Sequence, residues 1–381
     1  MAAGHVRKRG NKWAAVVFLG LDGRGKRKYK WYSGFDTKKA AQAELNRILH
    51  EMNEGTYVVP VKSTMESYML RWLEHVRDRV RPGTYRQYEW LTMQHIIPHI
   101  GRIAPDKLQA EQVQRLYDGL LHGDKPLSAR SVLHLHRVLH QAMGRAVKWG
   151  IVARNVCEAV EPPRPKKVAI EFWEEAELTE FLRAATSSQH YIAFLLLAST
   201  GMRVGEVLGL RWDRVDLDKG VISVEVSYSY TGSGYELEAP KTEAGRRSVD
   251  ISDGVVAALR AHKSKQAKLR LKLGEKWEDN NLVVATGTGR FVLGHNLRKS
   301  FNVVVERAGL KRIPMYNLRH THATIMLRRG VHPKIVQERL GHSDISVTLN
   351  TYSQVIPGLQ AAAANSLDDL FSSIQTPISK A

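Results

Sequence analysis

The chain has 381 residues, one cysteine, and 57 Lys+Arg against 38 Asp+Glu, a net charge of +19, and at roughly 150 residues per domain its length suggests two or three domains. Such an excess of charge costs self-repulsion that folding does not require, so it points to a polyanionic partner; nucleic acid fits best, because neutralised phosphates release counterions. The lone Cys157 excludes intrachain disulfides and thiolate zinc clusters, the longest apolar run (YIAFLLLAS, 191–199) is too short to span a bilayer, and MAAGHVRKRG lacks the apolar stretch of a secretory signal, so a reducing cytoplasm and no membrane partner are expected.

Residues 1–59 read as a small β-sheet plus helix module. NKWAAVVFLG and KRKYKWYSG form two strands around the turn LDGRGKR, and TKKAAQAELNRILHEMNEG forms a helix opened by Thr37 and closed near Gly55. Gly20-x-x-x-x-Gly25-Lys26 nearly matches a phosphate-binding loop. Arg27 replaces the magnesium-holding Ser/Thr and a strand follows instead of a helix, so that reading is rejected. The module has twelve Lys/Arg against five Asp/Glu, and with Trp31 and Tyr32 it suits DNA.

Residues 60–160 read as all-α. Thr64 caps SYMLRWLEHVRDRV, Pro82 and Gly83 break the chain, and Thr84 caps TYRQYEWLTMQHIIPHI; AEQVQRLYDGLL follows, then SARSVLHLHRVLHQAMGRAVKWG to Gly150. His136 and His140 have the i,i+4 spacing of a metal pair, but no glutamate stands between them and no further ligand cluster is near, so helix-face or phosphate contacts are expected instead. The proline-rich basic run VEPPRPKK ends in a linker at 161–167. Residues 168–381 then mix helix and strand: FWEEAELTEFLRAATSS and HYIAFLLLASTGMR are helical, GVISVEVSYSY and RRSVDIS are strands, and helix resumes from PMYNL.

Three segments of this last region set cations beside apolar helices. In TGMRVGEVLGLRW (200–212), Gly201 ends one helix, Arg203 sits at the turn into the next, Glu206 can hold its guanidinium, and Leu208, Leu210 and Trp212 anchor the segment. In APKTEAGRRSVDI (239–251), Lys241 lies between strand-like runs, as at a hairpin tip. In YNLRHTHATIMLRRGVHPKIVQERLGHSDISVTLNTYSQV (316–355), Gly330 ends one helix, Pro333 opens another, Gly341 ends that one so that His342 emerges past it, and Ser346 caps a short last helix carrying Tyr352. Arg211, Arg328 and Arg329 are expected on a solvated or DNA-backbone face.

Taken in order, the TGMRxGE-type segment, the PKT lysine, LRHTHAT, and LGH followed ten residues later by Tyr resemble the catalytic domain of tyrosine recombinases, the phage-integrase family, over most of 180–355. The resemblance implies a mixed α+β tyrosine-recombinase catalytic domain at 168–381, a helical, SAM-like core-binding domain at 60–160 and an arm-type DNA-binding module at 1–59. It implies Tyr352 as the nucleophile that forms a 3′-phosphotyrosyl link, Arg203 and Arg319 as clamps on the non-bridging oxygens, Lys241 as proton donor to the leaving 5′ oxygen, His342 as a phosphate hydrogen-bonder, and Glu206 as support for Arg203. Guanidinium forks suit the clamping role because they stay charged and bind in a bidentate way.

Neither metal nor ATP is required by that chemistry: side chains supply the cations and the covalent link conserves the phosphodiester. One position departs from the pattern. Tyr316 stands where family members most often carry the histidine of H-x-x-R, and a phenol is a poorer base near neutral pH than an imidazole; His320 and His322 are nearby candidates to compensate.

The implied function is site-specific recombination that integrates and excises a phage or mobile element through a Holliday junction, on double-stranded attachment sites, in a homotetramer helped by a directionality factor or host DNA-bending protein. The basic module at 1–59 favours this over chromosome-dimer resolution. An apolar stripe of Leu367, Leu370, Phe371 and Ile374 in the tail is expected to pack on its own domain or on a neighbouring protomer. A catalytically silent DNA-binding regulator on the same fold and a type IB-like topoisomerase are the alternatives.

Overall fold

A computed structural model of the chain describes residues 3–54, 57, 63–166, 169–230, 234–239 and 243–352. It divides into two compact units, 1–167 and 168–381. The first unit opens with a three-stranded antiparallel sheet in the order β1 (Gly4–Arg9), β2 (Lys12–Leu21), β3 (Arg27–Phe35), backed by helix α1 (Lys38–Asn53). β1 is a strand the sequence pattern did not indicate: GHVRKR has a single inward apolar residue, Val6, and is held by its pairing along β2. Ala14–Val17 of β2 are fully buried, and Ala15 and Val17 pack with Leu45 and Ile48 of α1. The Thr37 hydroxyl accepts from the Ala40 amide at 3.1 Å, as its cap position predicts. The Gly25 amide donates to the Asp22 carbonyl in a tight turn that leads into β3, so no helix N-terminus follows the glycines.

Helices of the same unit follow: α2 (Met65–Arg77), α3 (Pro82–Leu91), α4 (Ile97–Ile100), α5 (Ala110–His122) and α6 (Ala129–Lys148). Thr64 caps α2 in a reciprocal box with Ser67. The expected cap at Thr84 is displaced: α3 begins at Pro82, whose fixed φ and missing N–H suit a first helical position. TYRQYEWLTMQHIIPHI is not one regular helix, because residues Thr92–Ile96 form a π-turn between α3 and α4. The core is built from residues at helical spacing, among them Met65, Tyr68, Met69, Trp72 of α2 and Val132, Leu135, Leu139, Met143 of α6. His136 lies 2.9 Å from the Tyr117 hydroxyl through its Nδ1, and His134 lies near Gln87. Among the described residues no group of His, Cys, Asp or Glu is arranged to hold a metal.

The second unit contains α7 (Glu175–Ala185), α8 (Tyr191–Thr200), α9 (Val204–Leu208), strands β4 (Val215–Asp216), β5 (Val221–Val224), β6 (Ser227–Tyr230), β7 (Tyr235–Glu238) and β8 (Arg247–Asp250), then α10 (Asp253–Leu273), α11 (Gly294–Arg307), α12 (Asn317–Arg328), α13 (Pro333–Leu340) and α14 (Ile345–Tyr352). Its sheets are β4-β5-β8 and the hairpin β6-β7. The run GVISVEVSYSY is therefore two strands in two sheets, and β7 follows it. Lys241, expected at a hairpin tip, lies outside the described residues.

An aromatic cluster of Trp173, Phe181, Phe194 and Phe301, with ring centroids 5.0–6.0 Å apart, centres the core on α7, α8 and α11. The tail residues Leu367, Leu370, Phe371 and Ile374 lie outside the described residues. No helix among the described residues is long and apolar enough to cross a membrane.

Candidate active site

The site forms where two left-handed turns meet the start of a helix. α8 ends at Gly201 with φ 65°, α13 ends at Gly341 with φ 67°, and α12 begins at Asn317. Both glycines adopt the left-handed conformation that other residues resist. Arg319 joins these points. It is 2 % exposed, and its Nη1 donates to the Gly201 carbonyl at 2.7 Å while Nη2 donates to the Leu340 carbonyl at 2.6 Å. Two residues beyond each of these carbonyls stand Arg203 and His342, so a single guanidinium ties the expected clamp and the expected phosphate-bonding histidine to one spot. Burial, then the neighbouring Arg203, lowers the Arg319 pKa to about 10, which still leaves it charged at neutral pH.

Arg203 caps α9. Its Nη1 donates to Glu206 Oε1 at 2.7 Å and its backbone N–H to Oε2 at 2.8 Å. The expected support by Glu206 therefore has a bidentate geometry. Glu206 is 3 % exposed, and burial alone would raise its pKa; Arg247 Nη2, 2.8 Å from Oε2, and then Arg203 hold it below the usual carboxylate range. Arg247 was not anticipated. It donates in addition from Nε to the Arg339 carbonyl at 2.7 Å, which leaves its guanidinium committed inside the protein. A signal existed: Arg247 is in phase with the buried Val249 on β8, and an arginine at an inward strand position needs a counter-charge.

His342 follows the end of α13, with its Nδ1 2.9 Å from the Thr348 hydroxyl. Burial, followed by the charges of Arg319 and Arg203, lowers it to about 4. The cap of the last helix is corrected: the Asp344 carboxylate accepts from the Ser346 amide at 2.7 Å, so aspartate and not Ser346 closes the N-terminus of α14. Tyr352 ends α14, 2 % exposed, packed with Ala323, Leu327, Val336 and Leu340. Burial raises its pKa, with Arg319 opposing. Its hydroxyl lies 2.7 Å from His320 Nδ1.

The two histidines of LRHTHAT separate in role. His322 is structural: its Nδ1 lies 2.8 Å from the Ala198 carbonyl and its Nε2 accepts from Arg339 Nε at 3.2 Å. His320 faces the site and contacts Tyr352 directly. Tyr316 is 49 % exposed and presents its ring to the edge of His320, centroids 5.2 Å apart at 76°. Arg328 and Arg329, expected on a solvated or DNA-backbone face, remain solvent-exposed there and form ion pairs with Glu174 and Glu175. They fasten α12 to the start of α7.

Comparison with known proteins follows the same division of the chain. The phage integrase family matches residues 170–357, an arm DNA-binding domain residues 5–52, and a phage integrase N-terminal SAM-like domain residues 64–121. A XerC-like tyrosine recombinase of Caldanaerobacter subterraneus subsp. tengcongensis is 30 % identical over 387 residues, covering 96 % of this chain and 98 % of that one. An integrase of Streptomyces ambofaciens is 31 % identical, covering 94 % of each. In fold the chain is similar to the Tn1549 transposon integrase solved in complex with transposon right end DNA, with a TM-score of 0.67 and 21 % identity over 81 % of this chain and 99 % of that one. A lambda integrase dimer bound to a COC′ core site gives a TM-score of 0.56 at 17 % identity, covering 91 % of this chain and 93 % of that one.

Proposed function

The chain belongs to the phage integrase family of tyrosine recombinases, and from that membership we propose that it integrates and excises a mobile element by cutting and rejoining double-stranded DNA through a Tyr352–phosphate link. The observation that carries this reading is the position of Arg319, which binds the carbonyls two residues before Arg203 and His342 and directly precedes the histidine that touches Tyr352. Among the described residues, Arg203, Arg319, His320 and Tyr352 converge there with Glu206, on Arg203, as the carboxylate of the group.

In the proposed step the scissile phosphate lies between Arg203 and Arg319. Arg319 has five N–H donors and commits two of them to carbonyls, so three remain for the non-bridging oxygens. Glu206, itself neutralised by Arg247, fixes one edge of Arg203 and leaves its other donors for the phosphate. His342 bonds a further oxygen. The Tyr352 oxygen attacks phosphorus, the bond to the 5′ oxygen breaks, and Lys241 protonates that oxygen. Tyr316 packs beside His320 and supplies a hydroxyl at the site mouth.

DNA contact by the N-terminal sheet is supported by one face of β3, where Arg27 is in phase with Tyr29 and Trp31, both more than 40 % exposed. Assembly as a homotetramer on paired sites, with a directionality or DNA-bending factor, belongs to the same proposal. It is supported by the apolar side chains that α13 and α14 expose: Ile335, Ile345, Val347 and Leu349.

The test uses a duplex selected by this protein from a randomised pool and nicked so that the cleaved strand dissociates. A denaturant-resistant protein–DNA adduct is expected from the native chain and from Tyr316→Phe, and none from Tyr352→Phe. Binding without any adduct would indicate a silent DNA-binding regulator. An adduct that survives in Tyr352→Phe overturns the assignment of the nucleophile.

A further inference from the structure

The Tyr352 hydroxyl must lose its proton as it attacks, and among the described residues one side chain is hydrogen-bonded to it, His320. We propose that His320 takes that proton, which makes it a catalytic residue of the cleavage step. The proposal rests on Tyr352 as the nucleophile.

The geometry is direct: Nδ1 and the hydroxyl are 2.7 Å apart, within the range of proton transfer along a hydrogen bond. The ring is neutral at physiological pH, because burial and then Arg319 lower it to about 4. Tyr352 is held as the phenol by its own burial. Between a phenol and a neutral imidazole the phenol is the stronger donor, so O–H points to Nδ1 and the ring proton resides on Nε2. Tyr316, the residue one turn earlier, meets the His320 ring edge-on and is half exposed. His322 is engaged at both nitrogens and cannot substitute.

Among the described residues, the ionisable groups around the ring are Arg319 on its own helix, Tyr316 at the cap of that helix, Tyr352 on α14 and His342 in the turn before it. Arg319 is the charge that depresses the basicity of His320. A phosphodiester seated on Arg319 offsets that charge, so His320 becomes a better base when substrate arrives. The balance of the step is complete: the Tyr352 oxygen bonds phosphorus, its proton passes to Nδ1, the bond to the 5′ oxygen breaks, and that oxygen receives a proton from Lys241. In rejoining, His320 returns its proton to the departing phenolate, so base and acid alternate on one nitrogen.

The experiment measures single-turnover adduct formation on the nicked duplex. Loss of general-base catalysis slows His320→Ala on the order of 10²- to 10⁴-fold with duplex binding retained. His320→Gln, which keeps a hydrogen-bond acceptor but no base, is expected to be comparably slow. A 5′-bridging phosphorothiolate, whose sulfur leaves without a proton, should restore Lys241→Ala and leave His320→Ala slow.

A near-native rate in either His320 variant, or thiolate rescue of His320→Ala, overturns the proposal. Should the substitutions impair folding, fluorotyrosine at position 352 in the otherwise native chain reads the same proton. With His320 as base the acid limb of the cleavage profile stays where it is; a limb that moves down with the more acidic phenol means that no imidazole intervenes. An adduct in Tyr352→Phe would instead sink the nucleophile assignment itself, so the two failures are distinguishable.

Discussion

Glu206 is a carboxylate at 3 % exposure, and such a group persists inside a protein only with its counter-charges in place. Arg247, itself 6 % exposed, is the partner that no phosphate can draw away. Removing it leaves a buried carboxylate with only the half-exposed Arg203, so Arg247→Met is expected to lower stability by about 3–5 kcal/mol, measured by urea unfolding. The same variant should slow adduct formation, because Arg203 is then drawn more tightly to Glu206 and away from the phosphate.

Histidine protonation belongs to the same scale. His320 and His342 are held near 4 and His322 near 3, each from an ordinary value of 6.5, chiefly by burial. Below 6.5 the unfolded chain takes up protons at these positions that the folded chain does not. Stability therefore rises with pH across this window and is lost as pH falls from about 6.5 toward 4. Thermal unfolding between pH 7 and 4 should show that slope, and His322→Gln, which cannot take up the proton, should flatten it. A slope unchanged in that variant would exclude His322 as a contributor.

Among the elements, the α8–α9 turn has little freedom. At Gly201 a Cβ would come within 2.7 Å of His322 Cδ2 and of Leu340 Cδ2, on a backbone already at φ 65°. Gly201→Ala is expected to cost about 1–3 kcal/mol through the combined clash and left-handed strain, measured by denaturant unfolding. Because the Gly201 carbonyl holds Arg319, the variant should also lose cleavage rate beyond its loss of stability.

The last helix is the opposite case. α14 buries Thr348 and Tyr352 but exposes Ile345, Val347 and Leu349, so little apolar contact holds it. Its amides are expected to exchange with solvent well before those of α12, which buries seven of its twelve residues, and hydrogen exchange resolved by segment would measure this. Equal protection of the two helices would contradict the expectation.

At the level of the whole molecule, the net charge of +19 makes ionic strength the main control on DNA affinity. The logarithm of the association constant should fall linearly with the logarithm of salt, by about 0.9 for each phosphate neutralised. Residues 1–59 contain twelve of the basic side chains, so a chain lacking them should show a shallower slope on duplexes long enough to engage the module. A slope that does not change would remove this segment from the DNA interface.

Much of the architecture could be read from short-range rules. Thr37, Thr64, Gly201, Pro333 and Gly341 act where their backbone preferences predict, since capping and left-handed turns are decided within about four residues. Arg203, Glu206, Arg319, His342 and Tyr352 were implied by the resemblance of their segments to the phage-integrase catalytic domain, and the fold gathers them. The misread features depended on pairing across the chain. β1 has no inward pattern of its own, and GVISVEVSYSY divides because its halves find different partners.

The same distinction runs through the site. Glu206 meets Arg203 three residues away, within reach of sequence inspection. Its bond to Arg247 spans 41 residues, that of Arg319 to Gly201 spans 118, and that of His320 to Tyr352 spans 32. Residue types and local geometry are properties of a segment, and the resemblance they carry implied the chemistry. Which buried donor finds which acceptor is settled only when the core packs, and packing is what separated the two candidate histidines by bringing His320, and not His322, to the Tyr352 hydroxyl.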